Sequence, residues 1–275
     1  MKKQQVIKPQ IVKEEKNRHY HHRLLEKEEV LATFQGYIYE PNKYITLDKV
    51  EGDVNAINTL GEDFFNMCQA RNLNVIVNNL PDIPERKEIV DLMFEYGFKL
   101  KSRLVHYSLD LKEFEYKPVE TLPFVFKSMD TLDEEFFKNL LFSSTDGDPL
   151  MGELSPNNPD DFLEDTKDYP TFNPSHWILV YLETQPVGFI LANINPNYAP
   201  DVVAGCIEYF SILPGFRKQG FGAQLHYYAM SYLKELGAVV YHGNTSTKNK
   251  GMIRLFKKSG CKMAAEASFF ETKEI

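Results

Sequence analysis

Residues 207–222 read Ile207-Glu208-Tyr209-Phe210-Ser211-Ile212-Leu213-Pro214-Gly215-Phe216-Arg217-Lys218-Gln219-Gly220-Phe221-Gly222. A strand is expected over Gly205–Ile212, where aromatic and β-branched residues gather, and Pro214 ends it. Past the basic, glycine-containing turn, Phe221, Leu225, Tyr228, Ala229, Tyr232, Leu233 and Leu236 recur at helical spacing, and Gly237 supplies the stop. A helix therefore opens at the turn. Its first N–H groups lack intrahelical partners and carry a positive partial charge. Two glycines let a phosphate reach the backbone with no Cβ in the way. The combination predicts a pyrophosphate site at Arg217, Lys218, Gln219, Gly220, Phe221 and Gly222. The segment lacks the Gly-Lys-Ser/Thr of a Walker loop and the first glycine of the dinucleotide fingerprint.

Downstream, Val239–Tyr241 reads as a strand, Asn249–Ser259 as a helix stopped by Gly260, and Met263–Phe270 as a last strand. Upstream, Trp177–Leu182 and Val187–Ala192 read as a hairpin turning at Glu183–Pro186, preceded by a strand at Phe124–Phe126 and a helix near Glu134–Phe142. In the first half, strands are expected at Leu31–Tyr39 and Lys43–Leu47. A helix should place Ile57, Leu60, Phe64, Met67 and Cys68 on one stripe, with Asn72 capping its end. A strand at Leu73–Val77 follows, then a helix after Pro84 with Ile89, Val90, Met93 and Phe94 inward and Gly97 past its end, then a strand at Leu104–Leu109. Leu92-Met93-Phe94-Glu95-Tyr96-Gly97-Phe98 parallels Leu255-Phe256-Lys257-Lys258-Ser259-Gly260-Cys261. That is a repeat signal for a duplicated fold; two unrelated α/β units sharing a glycine helix stop are the other reading. The expected organisation is a charged arm over 1–29 (flexible, then a short helix), a domain over 30–112, a linker over 113–122 and a second domain over 123–275.

The glycine segment resembles motif A of the GNAT acetyltransferase superfamily, R/Q-x-x-G-x-G/A after a strand and a proline. Arg217, Gly220 and Gly222 fill the fixed positions and Pro214 the proline. The resemblance extends over residues 123–275, with Asn249 and the ending Leu255–Gly260 similar to a later family motif. It implies an α/β (α+β) fold: a mixed, mostly antiparallel sheet flanked by helices, here in two tandem GNAT-like domains. It also implies acetyl-CoA as cosubstrate. The pantetheine arm would lie between two splayed strands, bonded to the backbone of Phe210, Ser211 and Ile212. Asn249 would touch the cofactor, a role compatible with capping its helix. The family's base position falls on Asn244 and its acid position on Phe256, and neither can do that work. Glu208, expected to alternate onto one face with Phe210 and Ile212, and His242, expected to share a strand face with Asn244, are the candidate substitutes for the base; each also has a plain structural reading. The first half has no R-x-x-G-x-G. Its matching region, taken as Asn58–Glu62, is acidic, so this half reads as a degenerate copy.

The formal net charge of −8 argues against nucleic acid as a partner. No run of 18 or more apolar residues is present, and Met1–Gln5 lead into no apolar core, so neither a membrane span nor a secretory signal is expected. Cys68, Cys206 and Cys261 have no metal-ligand spacing and read as reduced thiols of a cytoplasmic protein. His19, Tyr20, His21 and His22 have no second cluster to complete a metal site and read as an exposed polar turn, so no metal is expected. Residues 145–168 carry eight acids (Asp146, Asp148, Glu153, Asp160, Asp161, Glu164, Asp165, Asp168), either a solvated loop or an electronegative lip for a cationic amine.

The expected activity is acetyl transfer from acetyl-CoA to a primary amine of a small molecule or peptide. A non-catalytic acyl-CoA-binding module is the alternative. Aminoacyl transfer from charged tRNA is disfavoured by the acidic balance. Acceptor choice is expected to reside in residues 144–176 and the N-terminal half, and the sequence carries nothing on oligomeric state.

Overall fold

The computed structural model describes residues 9–16, 18–39, 44–81, 83, 86–115, 124–130, 133–147, 159–167, 169 and 171–272. The chain divides into two compact units, Met1–Leu104 with Ala265–Ile275, and Val105–Ala264. The division falls earlier than the expected linker at 113–122, most of which lies outside the described residues, and it returns the C-terminal tail to the first unit.

In the first unit the strands are β1 (Gln10–Lys16), β2 (His19–Glu26), β3 (Glu29–Tyr39), β4 (Tyr44–Gly52) and β5 (Asn74–Pro81), in the order β1-β2-β3-β4-β5-β12, where β12 is Lys262–Thr272. Successive pairs from β1 to β4 are antiparallel, β4/β5 is parallel and β5/β12 antiparallel. Helices α1 (Val54–Arg71) and α2 (Lys87–Glu95) follow β4 and β5. Ile57, Leu60, Phe64 and Cys68 of α1 are buried, together with Ile89, Leu92 and Met93 of α2. Burying a Leu or Phe side chain stabilises the fold by about 1.5–3 kcal/mol. Phe94, expected inward, is half exposed and meets Phe270 edge-on at 5.6 Å. Asn72 takes φ 55° and ends α1 as expected.

Residues 10–26 are the main departure from the expected arm and short helix. Both β1 and β2 are strands, and the His19–His22 run is no exposed turn. Tyr20, His22 and Leu24 alternate into the core, with His22 fully buried. The His22 Nδ1 contacts the Tyr20 hydroxyl at 2.9 Å, and its Nε2 lies 2.8 Å from Asp63, which also pairs with Lys13. Burial outweighs the Asp63 carboxylate and lowers the His22 pKa to about 4.

The second unit repeats the plan. Its strands are the Val105–Asp110 part of β6 (Phe98–Asp110), β7 (Phe124–Ser128), β8 (Trp177–Leu182), β9 (Gln185–Ala199), β10 (Val202–Ile212) and β11 (Val240–Ser246), in the order β6-β11-β10-β9-β8-β7. The pairs from β7 to β10 are antiparallel and β10/β11 is parallel. Helices α5 (Phe221–Glu235) and α6 (Lys250–Lys258) follow β10 and β11, as α1 and α2 follow β4 and β5. Between β7 and β8 the second unit inserts α3 (Glu134–Ser144) and α4 (Pro159–Lys167), where the first unit turns directly from β1 to β2. The sheet thus carries two cores. One packs Leu225, Ala229, Met230 and Leu233 of α5 with Phe256 of α6; the other packs Phe137, Leu140 and Leu141 of α3 against Trp177, Phe189 and Leu191. Among the described residues no helix is long and apolar enough to cross a membrane.

Candidate functional site

The parallel pairing of β10 with β11 consists of Ala204↔Val240, Gly205↔Tyr241 and Cys206↔His242. Beyond that row β10 runs to Ile212 paired with β9 only, while β11 runs separately to Ser246. The strands therefore part, as the resemblance implied. Alternate residues of β10 over 207–212 direct their N–H and C=O groups away from β9, leaving a strand edge to which an extended ligand can bond. A cleft of about 200 Å³ lies at the fork, lined among others by His106, Cys206, Glu208, Asn244, Asn249 and Phe256.

Glu208 sits in a β-bulge. The β9 partner of Ile207 is Ala192 and that of Tyr209 is Leu191, so Glu208 has no register partner. Bulges re-aim side chains next to functional sites. This one corrects the expected alternation. Phe210 and Ile212 pack with the α5 core, whereas Glu208 faces the other way. Its Oε1 accepts from Asn193 Nδ2 at 2.7 Å and from Cys206 Sγ at 3.2 Å, and the carboxylate is exposed. Asn193 and Cys206 are register partners, so they share Glu208's face. Burial, and next the Glu208 charge, raise the Cys206 pKa, which keeps the thiol a neutral donor.

His242 follows Cys206 in the same row across the sheet. Burial lowers its pKa, so the imidazole is neutral at neutral pH, and its Nε2 is buried without a hydrogen-bond partner among the described residues. His106 lines the cleft too; burial is the main cause that lowers its pKa, with the electrostatic influence of the neighbouring His242 imidazole second. Sequence reasoning missed His106 because β6 begins in the first half, and missed Asn193 because strand register is not visible in one sequence. Cys206, two residues before Glu208, was within reach of the period-2 rule.

Helix α5 opens at Gly220, φ 84°, with no side chain capping it. A side chain would be strained there. At Gly222 the position is different. Its backbone is ordinary, and a Cβ would meet nothing nearer than Leu255 Cδ1 at 3.9 Å. The folded chain does not need glycine at 222, and glycine inside a helix is about 0.5–1 kcal/mol less stable than alanine. What glycine does leave is room for a group approaching the helix start from outside. Lys218 also takes a positive φ, 64°, which shapes the turn, and Gln219 is exposed beside it.

Arg217 departs from its expected role. Its Nε donates to Ile212 O at 2.8 Å, its Nη2 to Ser144 O at 2.8 Å and its Nη1 to Asp146 O. The guanidinium is occupied by backbone carbonyls rather than presented to an anion. Asn249 caps α6, its Oδ1 accepting from Met252 N at 3.0 Å, and lies on the cleft wall as well. Phe256 is buried and stacked on Tyr107 at 4.6 Å. Tyr241 is among the residues lining the cleft, and its hydroxyl lies 3.3 Å from His226 Nε2. Burial holds Tyr241 protonated and lowers the His226 pKa to about 4.

Asn58–Glu62, taken as the first half's match to the glycine loop, lies inside α1; the helix start there is Asp53. In the acidic stretch, Asp160 pairs with Lys138. Asp148, Glu153 and Asp168, with the side chains of Asp161 and Asp165, lie outside the described residues. Among the described residues no group of three or more His, Cys, Asp or Glu is placed to hold a metal ion.

Residues 142–261 match the model of the acetyltransferase (GNAT) family. No curated protein matches the chain. Among solved structures, a GCN5-related N-acetyltransferase from Sphaerobacter thermophilus superimposes with TM-score 0.70 at 13% identity, over 92% of this chain and 80% of that one. A tandem GNAT protein from the clavulanic acid biosynthesis pathway gives 0.64 at 10% identity, over 94% and 83%. A GCN5-related N-acetyltransferase from Kribbella flavida gives 0.57 at 13%, over 96% and 90%. At these identities the likeness is one of fold. Residues 142–261 are thus similar to the acetyltransferase (GNAT) family, and the chain has the fold of tandem GNAT proteins.

Proposed function

We propose that this protein is an N-acetyltransferase that moves the acetyl group of acetyl-CoA to a primary amine of a small molecule or peptide. The observation that carries the reading is the open edge of β10 over 207–212, continuous with a helix start that no side chain caps. The diphosphate meets the first N–H groups of α5, with Lys218 and Gln219 beside it. The pantetheine arm bonds to β10 at Phe210–Ile212, and a main-chain N–H near Ile212 faces the thioester oxygen, where negative charge develops.

An amine of pKa about 10.4 is almost wholly protonated at neutral pH and needs a base before it can attack. Glu208, held by Asn193 and Cys206, takes the proton. The neutral amine nitrogen bonds to the thioester carbon, the C–S bond breaks, and the second proton that the nitrogen sheds passes through water to the departing thiolate. A thiolate of pKa about 8.5 leaves without a dedicated acid, so Phe256 at the family's acid position is tolerable. Neutral His242 is the second candidate for the proton. Three free cysteines fit a reducing compartment, the cytoplasm.

Asn244 and Phe256 favour a second reading, an acyl-CoA-binding module without turnover. Two measurements decide. Acetyl-CoA should raise the melting temperature of the wild type and leave Gly222→Glu unmoved, because a ligand of the folded form stabilises by mass action; equal shifts in both would remove the cofactor from this loop. Free-thiol release across a panel of amines should then appear in the wild type and be lost in Glu208→Gln. Acetyl-CoA binding with no release for any amine selects the second reading.

A further inference from the structure

A guanidinium that binds three carbonyls from two distant segments is a brace. Ile212 is the last residue of β10, Ser144 the last of α3, and Asp146 lies just beyond it. The planar fork of arginine holds such acceptors in fixed directions, which the single ammonium of lysine does not reproduce. The charge also complements the negative end of α3. Two consequences follow from the committed side chain. The Arg217 charge is spent on α3, so an anion at the glycine turn relies on main-chain N–H groups. The position of the turn is mechanically tied to Ser144–Gly147, which opens the stretch expected to choose the acceptor.

We propose that Arg217 is a positioning residue rather than a cofactor ligand: it couples acyl-CoA binding at 207–222 to the C-terminal end of α3. The inference rests on the reading of 207–222 as an acyl-CoA site. Whatever the cofactor does to the turn is passed through one rigid group to Ser144 and Asp146, and linkage makes the effect reciprocal.

Hydrogen–deuterium exchange tests this with acetyl-CoA as the probe, on the full chain and on Arg217→Gln and Arg217→Lys. In the wild type, acetyl-CoA should slow exchange over 139–147 by about 5-fold or more, within the usual range of coupling between sites. In both variants acetyl-CoA should still protect 218–225, with affinity reduced by less than about 10-fold, roughly 1.4 kcal/mol, while the protection of 139–147 disappears. Arg217→Lys keeps the charge and serves if Arg217→Gln loses its far-UV circular dichroism. Protection of 139–147 that survives in the variants overturns the coupling. Affinity lost in Arg217→Gln and restored in Arg217→Lys makes Arg217 an anion ligand after all. A wild type that binds acetyl-CoA without protecting 139–147 removes the coupling alone; one that binds none removes the functional reading and this inference together.

Discussion

Helix α1 of the first unit and helix α5 of the second occupy the same place in a repeated order of elements, and they begin differently. At α1 the Asp53 carboxylate accepts from Asn55 N and Ala56 N, both at 2.9 Å. At α5 Gly220 offers no side chain. The fork between the parallel strands shows the same contrast. In the first unit β4/β5 pairing stops at Leu47↔Val77; there Asn78 Nδ2 donates to Asp48 at 3.2 Å, and Arg86 donates to the Val50 carbonyl at 3.3 Å. In the second, the fork holds Cys206, Glu208, His242 and a cleft. One copy supplies its own carboxylate and its own donors at the positions where the other copy leaves main chain exposed. The same fork and helix start can therefore be filled by the chain's own side chains with no change of fold.

The contrast can be broken in graded steps. The largest effect is expected at the carboxylates by the two forks. Glu208→Gln should lower amine acetylation by about 10²–10⁴-fold, the usual weight of a general base, with acetyl-CoA affinity unchanged, and Asp48→Asn should leave turnover intact. Steady-state rates with a matched binding titration check this.

Next in size is a feature the two units share, a histidine buried to zero exposure: His22 in the first, His226 in the second. Each has a folded pKa of about 4, below the unfolded value of about 6.5. The unfolded chain therefore binds the proton first. Stability is complete above about pH 6.5 and falls as the pH drops toward 4, by on the order of 3 kcal/mol for His226. Thermal melts from pH 7 to 4 should show the loss, and His226→Gln should flatten the slope. A melting temperature constant over that range contradicts the account.

Smaller effects follow at the helix starts. Asp53→Ala should destabilise the protein by about 1 kcal/mol, the usual cost of losing such a cap, without touching acetyl-CoA binding. Gly222→Ala should do the reverse, stabilising the free protein by about 0.5–1 kcal/mol while weakening acetyl-CoA. Denaturant unfolding and titration separate the two.

These contrasts also show what a single sequence reveals. Glycine stops, the proline before the loop and the stripes of α1 and α5 were legible because each is local. The strands β1 and β2 were not. Nearly every β1 residue is exposed, so charge hid its pattern, and in β2 a histidine stands where an apolar residue would have signalled alternation. The bulge at Glu208, the brace at Arg217 and the place of His106 depend on register and on contacts between distant segments. The residues were visible, while the directions of their side chains were not.

The most direct test is the stoichiometry of acetyl-CoA binding by isothermal titration calorimetry. One molecule per chain is predicted, abolished by Gly222→Glu and untouched by Asp53→Ala. Two molecules per chain, or one that survives Gly222→Glu, would contradict the claim that only the second copy has kept an open helix start.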